Sequence, residues 1–519
     1  MENQGGAAVV AVPGGRVTRY DKLFANAHLG ELKGTSVRGG AVILAAQLLK
    51  FVVQTGSQMA MFRLLTKQDF GLQGMVVAIT GVISLFRDVG LSLATVQRDV
   101  ITHEETSTLF WFNTALGVAL TLLAAALAPG LVYFYGEPRL FWITILSALA
   151  FFMNGLAVQH QALLHRSMQF VVMSKIDIAA LIISSGVGVV MAWVGYGYWS
   201  LVVMALVNTL IGMIGSFIAV RWMPSRPSFK LDKGIGSMLH FGGTVTFNNV
   251  IVYLAYNADR VFLGRVWGSE AVGGYTRMYQ LVNLPMQQLN TSIYNVAFPA
   301  LSRIQNDPER LKRAFLKGYA VLLAINTPIT IFTALYAREV IRIMAGHKWV
   351  DDAIVLQLLT PAIMGFALVN PLGWFMMATG RAARSLRISY LVLPVVVIGV
   401  LLGLPFNYVG VATGFSAAVV LLTFPIVVWA IHGTGITMRD FLNAVKQPLL
   451  SGAVAGACGY ALRRAMGDSV PWFAGLIIGI VVVFGIYAFL LLIVMGQKPV
   501  YVDLVKQVIQ RRRAKKEPS

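Results

Sequence analysis

Cysteine, acid and charge of either sign are scarce in this chain. Cys458 is the only cysteine in 519 residues, which excludes a disulfide framework and a cysteine-based zinc site. Charged residues make up 12% of the chain, against about 25% in soluble domains. The seven histidines are scattered. No H-E-x-x-H pair occurs, and His160 and His165, five apart, lack a nearby third ligand, so no metal centre is expected. There is no Walker A motif, which removes ATP as the direct fuel. Long hydrophilic connections are also missing. A membrane-embedded polymerase or glycosyltransferase is expected to carry acids on a substantial external loop, yet Asp351 and Asp352 stand in a short turn. The expectation is therefore a protein that is not an enzyme and holds no cofactor.

What is abundant is apolar sequence. Hydrophobic residues are 57% of the chain, and mean hydropathy is +0.71, the signature of an all-α integral membrane protein. A span needs about 20 mainly apolar residues, and fourteen such runs lie between residues 38 and 496. The 42 basic residues exceed the 22 acids, for a net charge of +20. Basic loops stay in the cytoplasm. With the N-terminus inside, 28 Lys and Arg fall on cytoplasmic segments and 10 on external ones. Both termini are thus expected in the cytoplasm, an arrangement that twelve spans would also satisfy. The positive charge reads as topology, and nucleic acid is not an expected partner. The apolar patch "AAVVAV" (7–12) is too short for a signal-peptide core, and no basic residue precedes it. Residues 1–36 are read as a cytosolic lead-in, and 498–519, ending "QRRRAKKEPS", as a basic cytosolic tail against anionic lipid.

A weak repeat runs through the chain. "KQDFGLQGM" (67–75) follows the first apolar run and "GSEAVGGYTRM" (268–278) the seventh; "YGEPRLF" (135–141) follows the third and "AGHKWVDD" (345–352) the ninth. The basic stretch "RWMPSRPSFKLDKG" (221–234) separates the two sets. The spacing predicts two six-helix halves of like orientation, 37–222 (spans 1–6) and 237–432 (spans 7–12). They are joined by a cytoplasmic loop at 223–236 and followed by spans 13–14 within 433–497.

Charges inside the runs are the candidate site. A charge at a span centre costs about 2.5–3.5 kcal/mol on insertion scales. In "SLFRDVGLSLA" (84–94), Arg87 and Asp88 point about 100° apart on a helix, so their partners must come from other helices. At 1.5 Å per residue, Lys50 lies about 18 Å from the inner surface, Arg87 and Asp88 about 14–15 Å, and Lys175 and Asp177 about 10–13 Å. A second set, Asp259, Arg260 and Arg277 with Asn248 and Asn249, lies nearer the outside. Internal salt bridges that lock the bundle are one reading, notably for Asp88 and Asp259. For Lys50 and Arg87 the favoured reading is a polar interior that receives an anion. Pro328 in "NTPIT" and Pro371 in "VNPLGW" interrupt apolar runs beside a polar residue and are hinge candidates, although proline is common in spans.

The stretches "DFGLQGMV", "FRDVGLSLATVQRD", "FYGEP", "NADRVFLGR", "VGGYTRMYQLVNLP" and "FPALSRIQNDPERLKRAF" resemble the polysaccharide transporter (Wzx-like) oligosaccharide flippases of the multidrug/oligosaccharidyl-lipid/polysaccharide exporter superfamily. The likeness runs from about residue 38 to 440. It implies two six-helix lobes in a V around a central cavity. It also implies transfer of an undecaprenyl-diphosphate-linked repeat unit from the inner to the outer leaflet of the bacterial inner membrane, for exopolysaccharide, capsule or O-antigen synthesis. The implied partners are that polyprenyl-diphosphate-linked oligosaccharide, membrane lipids, a polysaccharide polymerase and glycosyltransferases, with a proton or sodium as possible coupling ion. Substrate-binding candidates are Lys50, Arg87, Lys175, Arg260 and Arg277, supported by Asp88, Asp177, Asn248, Asn249 and Asp259. A drug or cation exporter of the same superfamily is the alternative; acids would then be expected to dominate the interior, and here cations do. A non-transporting scaffold or a polymerase is the more distant rival.

Overall fold

The computed structural model describes residues 32–87, 95, 101–226, 234–467 and 469–498. Residues 1–31 of the lead-in, 499–519 of the basic tail, Asp88 and residues 227–233 of the middle loop lie outside them. Among the described residues the chain is all-helical, with no strand. Eight segments there are long and apolar enough to cross a membrane, which makes this a multi-pass membrane protein. One of the eight, Ala383–Ile431, is itself two helices turned at Leu404–Phe406.

Helices suit this solvent because hydrocarbon offers no partner for a backbone N–H or C=O. At several helices the open N-terminal donors are met by side chains. In α1 (Leu32–Leu64) and α2 (Lys67–Ser84) the connection carries a reciprocal cap. The Asp69 N–H donates to Thr66 Oγ1 at 3.2 Å, and the Thr66 N–H donates to Asp69 Oδ2 at 2.9 Å. Thr102 and Glu105 repeat this at α3 (His103–Tyr135). The remaining helices of the first half are α4 (Leu140–Arg166), α5 (Phe170–Val194) and α6 (Trp199–Val220).

The helical stretch α7 (Gly234–Arg303) is two arms. Gly268, at φ 76°, leaves helical geometry. Arg260 lies 5.2 Å from the Tyr279 ring; in an unbroken helix those residues would be about 28 Å apart. The chain therefore reverses at Gly268, where the left-handed φ favours a residue without Cβ. Then come α8 (Pro308–Leu335), the short α9 (Ala337–Met344), a 3₁₀ turn, α10 (Ala353–Ala378), α11 (Ala382–Gly403), α12 (Asn407–Ile431), α13 (Met438–Met466) and α14 (Trp472–Phe489).

The chain forms two compact units, 1–253 and 254–519. In the first, α3 packs on α4, α5 on α6, and α1 on α5. The α3–α4 crossing is backbone against backbone. A Cβ on Gly155 would stand 2.6 Å from the Asn113 carbonyl oxygen, and one on Gly117 2.9 Å from that of Phe151. Small residues permit such approach where lipid supplies no hydrophobic drive between helices. In the second unit α12 packs on α10 and α11, and α13 packs on α8 and α14. Two ion pairs fasten α13. Lys312 Nζ meets Asp440 Oδ2 at 2.6 Å, and Arg463 Nη2 meets Glu339 Oε1 at 2.9 Å. Lys312, with the Thr437 cap, holds the Asp440 carboxyl well below the usual carboxylate range.

Gly155→Leu should lower the thermal stability of the detergent-solubilised protein by about 1–3 kcal/mol or more through overpacking. Gly130→Leu, on α3 where a Cβ meets nothing within 4 Å, should not. Equal losses in the two variants would show that the α3–α4 contact is not the tight crossing described.

Candidate functional site

The charges of the first unit sit on helices that the fold brings side by side. Lys50 is in α1 and Asp177 two turns into α5; Lys50 Nζ meets Asp177 Oδ2 at 2.5 Å. The lysine side chain is 20% exposed and the carboxylate 59%. The favoured reading of Lys50 as an open anion contact thus meets a carboxylate already in place. Lys175, two residues before Asp177, is exposed. Arg87 follows the last turn of α2, its N–H donating to the Ser84 carbonyl at 3.2 Å. Its Nη1 donates to Asn154 Oδ1 of α4 at 3.3 Å. Among the described residues no contact joins Lys50 to Arg87. Asp88 lies outside those residues, as does the side chain of Asn248.

The second unit holds a buried polar cluster on the two arms of α7. Asp259 is fully buried and Asn257 nearly so. The Arg260 N–H donates to Asp259 Oδ1 at 2.7 Å, and Arg260 Nη1 donates to Asn257 Oδ1 at 2.7 Å. The guanidinium lies over Tyr279, a cation–π contact. From the second arm, Arg277 Nη1 donates to Gln280 Oε1, and Arg277 lies within electrostatic reach of Arg260. Asp259 is likewise within reach of the Tyr275 hydroxyl and Arg260. Two guanidiniums thus lie near one another in this cluster, and Arg260 stands beside the Asp259 carboxylate. Asn249 is exposed on the first arm. Pro328 and Pro371 are both buried inside unbroken helices, α8 and α10.

Three features escaped the sequence reading. Asn154, a neutral residue in an apolar run, is the partner of Arg87. Arg166, counted as a loop cation, is 3% exposed and donates from Nη1 to the Thr95 carbonyl at 2.9 Å. Gln159 donates to Thr95 Oγ1 at 2.8 Å, so α4 grips the chain at Thr95 from two sides. His160 stacks on Phe217 with ring centres 3.7 Å apart, its Nε2 3.1 Å from the Trp222 carbonyl. Trp222 Nε1 donates to His103 Nδ1 at 2.9 Å. The start of the middle loop is thereby fastened onto α3 and α4. A polar residue spaced along an otherwise apolar helix was the only available signal for Asn154 and Gln159.

The family model described as "Polysaccharide biosynthesis protein" matches residues 60–354, more than half of the chain. Lipopolysaccharide biosynthesis protein WzxC of Escherichia coli (strain K12) is 25% identical over 87% of this chain and 92% of its own length. Succinoglycan biosynthesis transport protein ExoT of Rhizobium meliloti (strain 1021) is 24% identical over 57% of this chain and 60% of its own. Among solved structures, lipid II flippase MurJ in an inward closed conformation superposes with a TM-score of 0.68 at 14% identity, over 89% of this chain and 99% of that one. The fold is shared with that protein.

A double-mutant cycle on Lys50→Gln and Asp177→Asn should give a stability coupling of about 1 kcal/mol or more, read from thermal unfolding in detergent. The exchange Lys50→Asp with Asp177→Lys should recover much of the loss. Additive single effects would show that the pair contributes nothing as a pair.

Proposed function

We propose that this chain, which belongs to the polysaccharide biosynthesis protein family, is a flippase for lipid-linked oligosaccharide and not an enzyme. It moves an undecaprenyl-diphosphate-linked repeat unit from the inner to the outer leaflet of the bacterial inner membrane. The observation that carries this reading is the family match across residues 60–354, which takes in Arg87, Asp177, Asp259, Arg260 and Arg277 and begins ten residues after Lys50. The names of WzxC and ExoT, which speak of lipopolysaccharide biosynthesis and of succinoglycan biosynthesis transport, suggest the substrate class. A diphosphate headgroup crossing a hydrocarbon layer needs cations inside the protein, and this chain carries them on spanning helices.

In finer detail we read fourteen spans, with the two arms of α7 as spans 7 and 8. Spans 1–6 and 7–12 form two lobes that alternate access, spans 13–14 follow, and both termini are cytoplasmic. Arg87 is the first contact for the diphosphate. Lys50, paired with Asp177, is an ion pair that yields or holds as α1 and α5 move, with Lys175 beside it. Arg260 and Arg277 form the later contact, kept in place by Asp259 and Asn257; Asn248 and Asn249 lie on the approach along the same arm, and Asp88 supports the first contact. Pro328 and Pro371 allow α8 and α10 to bend without breaking. Glycosyltransferases that build the repeat unit and a polymerase that consumes it are the functional neighbours.

Deleting the gene in a cell with intact glycosyltransferases should abolish surface polysaccharide and accumulate lipid-linked repeat units, read by lipid extraction. Plasmid-borne wild type should reverse both effects. Arg87→Ala at equal membrane abundance should restore export at less than about one tenth of the wild-type rate, the loss of a charge-assisted contact. Unaltered polysaccharide in the deletion strain, or accumulation of a cationic drug in place of the lipid, would overturn the reading.

A further inference from the structure

Two cations of the first unit, Lys50 and Arg87, are held by different chemistry. Lys50 meets a carboxylate at 2.5 Å, so its charge is cancelled where it stands. Arg87 meets an amide. Asn154 Oδ1 accepts from Arg87 Nη1 at 3.3 Å, and Asn154 Nδ2 donates to the Ala150 carbonyl one turn earlier at 2.7 Å. Both neighbours demand the same orientation: a carbonyl oxygen needs a donor and a guanidinium needs an acceptor. The amide is therefore locked with its oxygen toward the arginine. Asn154 is 12 residues from the end of α4 at Arg166, about 18 Å along the helix, and so near the middle of the span. Arg87 makes no other polar contact through its side chain among the described residues. A guanidinium offers five N–H donors, and one hydrogen bond to Asn154 leaves several to spend on a ligand.

We propose that Asn154 is the positioning residue for Arg87: it aims the guanidinium without neutralising it, and so sets the preference of this site for an anionic headgroup. An acid at position 154 would hold Arg87 equally well and cancel its charge, as Asp177 does for Lys50. An apolar residue would leave the charge but lose its aim. The proposal rests on the flippase reading, since a diphosphate is the anion concerned.

The test uses the purified full chain in detergent and two probes, undecaprenyl diphosphate and the uncharged undecaprenol. The readout is the ratio of their affinities, which a loss of packing alone would not move. Wild type should prefer the diphosphate. Arg87→Gln should reduce the ratio by about tenfold or more, the share of a hydrogen bond to a charged group. Asn154→Asp should reduce it to the same degree while leaving undecaprenol binding unchanged. Asn154→Leu, a second variant should the acid not accumulate in the membrane, should also reduce it, with no further loss when combined with Arg87→Gln. A ratio that falls in Arg87→Gln but holds in both Asn154 variants overturns the positioning role and leaves the flippase reading standing. A wild-type ratio near one overturns that reading and the proposal with it.

Discussion

Hydrocarbon supplies no partner for a charge, so an ionised side chain held within a span needs a counterpart from the protein itself. The contact of Lys50 with Asp177 at 2.5 Å shows the constraint at work. It brings together residues of α1 and α5 that are 127 positions apart, and it specifies how those helices register. The same demand explains the Arg87–Asn154 bond between α2 and α4, the Arg166 grip on Thr95, and the sharing of Asp259 and Asn257 with Arg260. Backbone groups obey it too. The reciprocal threonine–acid caps at α2, α3 and α13 satisfy donors where each helix begins.

The manner of satisfaction separates holding from function. A carboxylate partner cancels the charge and leaves a structural link. An amide partner, or an aromatic face such as Tyr279 under Arg260, leaves the charge in place. By that criterion the proposed anion contacts are Arg87 and the Arg260–Arg277 pair, and Lys50, in its contact with Asp177, is proposed as a structural link. Under the proposed function, such charges would favour a lipid diphosphate over a cationic drug.

The positions of many apolar runs were legible because hydrophobic length is a strong signal; the observed α4 to α6 and α10 to α12 lie within a few residues of apolar runs in the sequence. Lys50 and Asp177 were placed at comparable depths by the helix rise alone. Their pairing was not legible, nor was Asn154. These helices are apolar on all sides, facing lipid on one and neighbouring helices on the other, so no polar stripe marks the inward face. Asn154 is neutral and 67 positions from Arg87, and nothing local distinguishes it from an incidental asparagine. Arg166 was read as topology because it closes an apolar run, and only tertiary packing buries it. The connection at 337–352 was read as a loop. It contains α9, whose Glu339 binds Arg463 and whose Arg342 lies 4.8 Å from the Trp472 ring, so it ties α13 and α14 to the rest of their unit. At eight residues it was too short to show a helical period.

The central claim is that this protein carries an anionic lipid headgroup across the membrane on the positive charge of Arg87. The most direct measurement is the flipping rate in proteoliposomes of two glycolipids that share one glycan and one polyprenyl chain, one joined by a diphosphate and the other by an uncharged linkage. The account predicts faster movement of the diphosphate lipid by about tenfold or more, and collapse of that preference in Arg87→Gln. Equal rates for the two lipids in the wild-type protein, or a preference that survives Arg87→Gln intact, would contradict it.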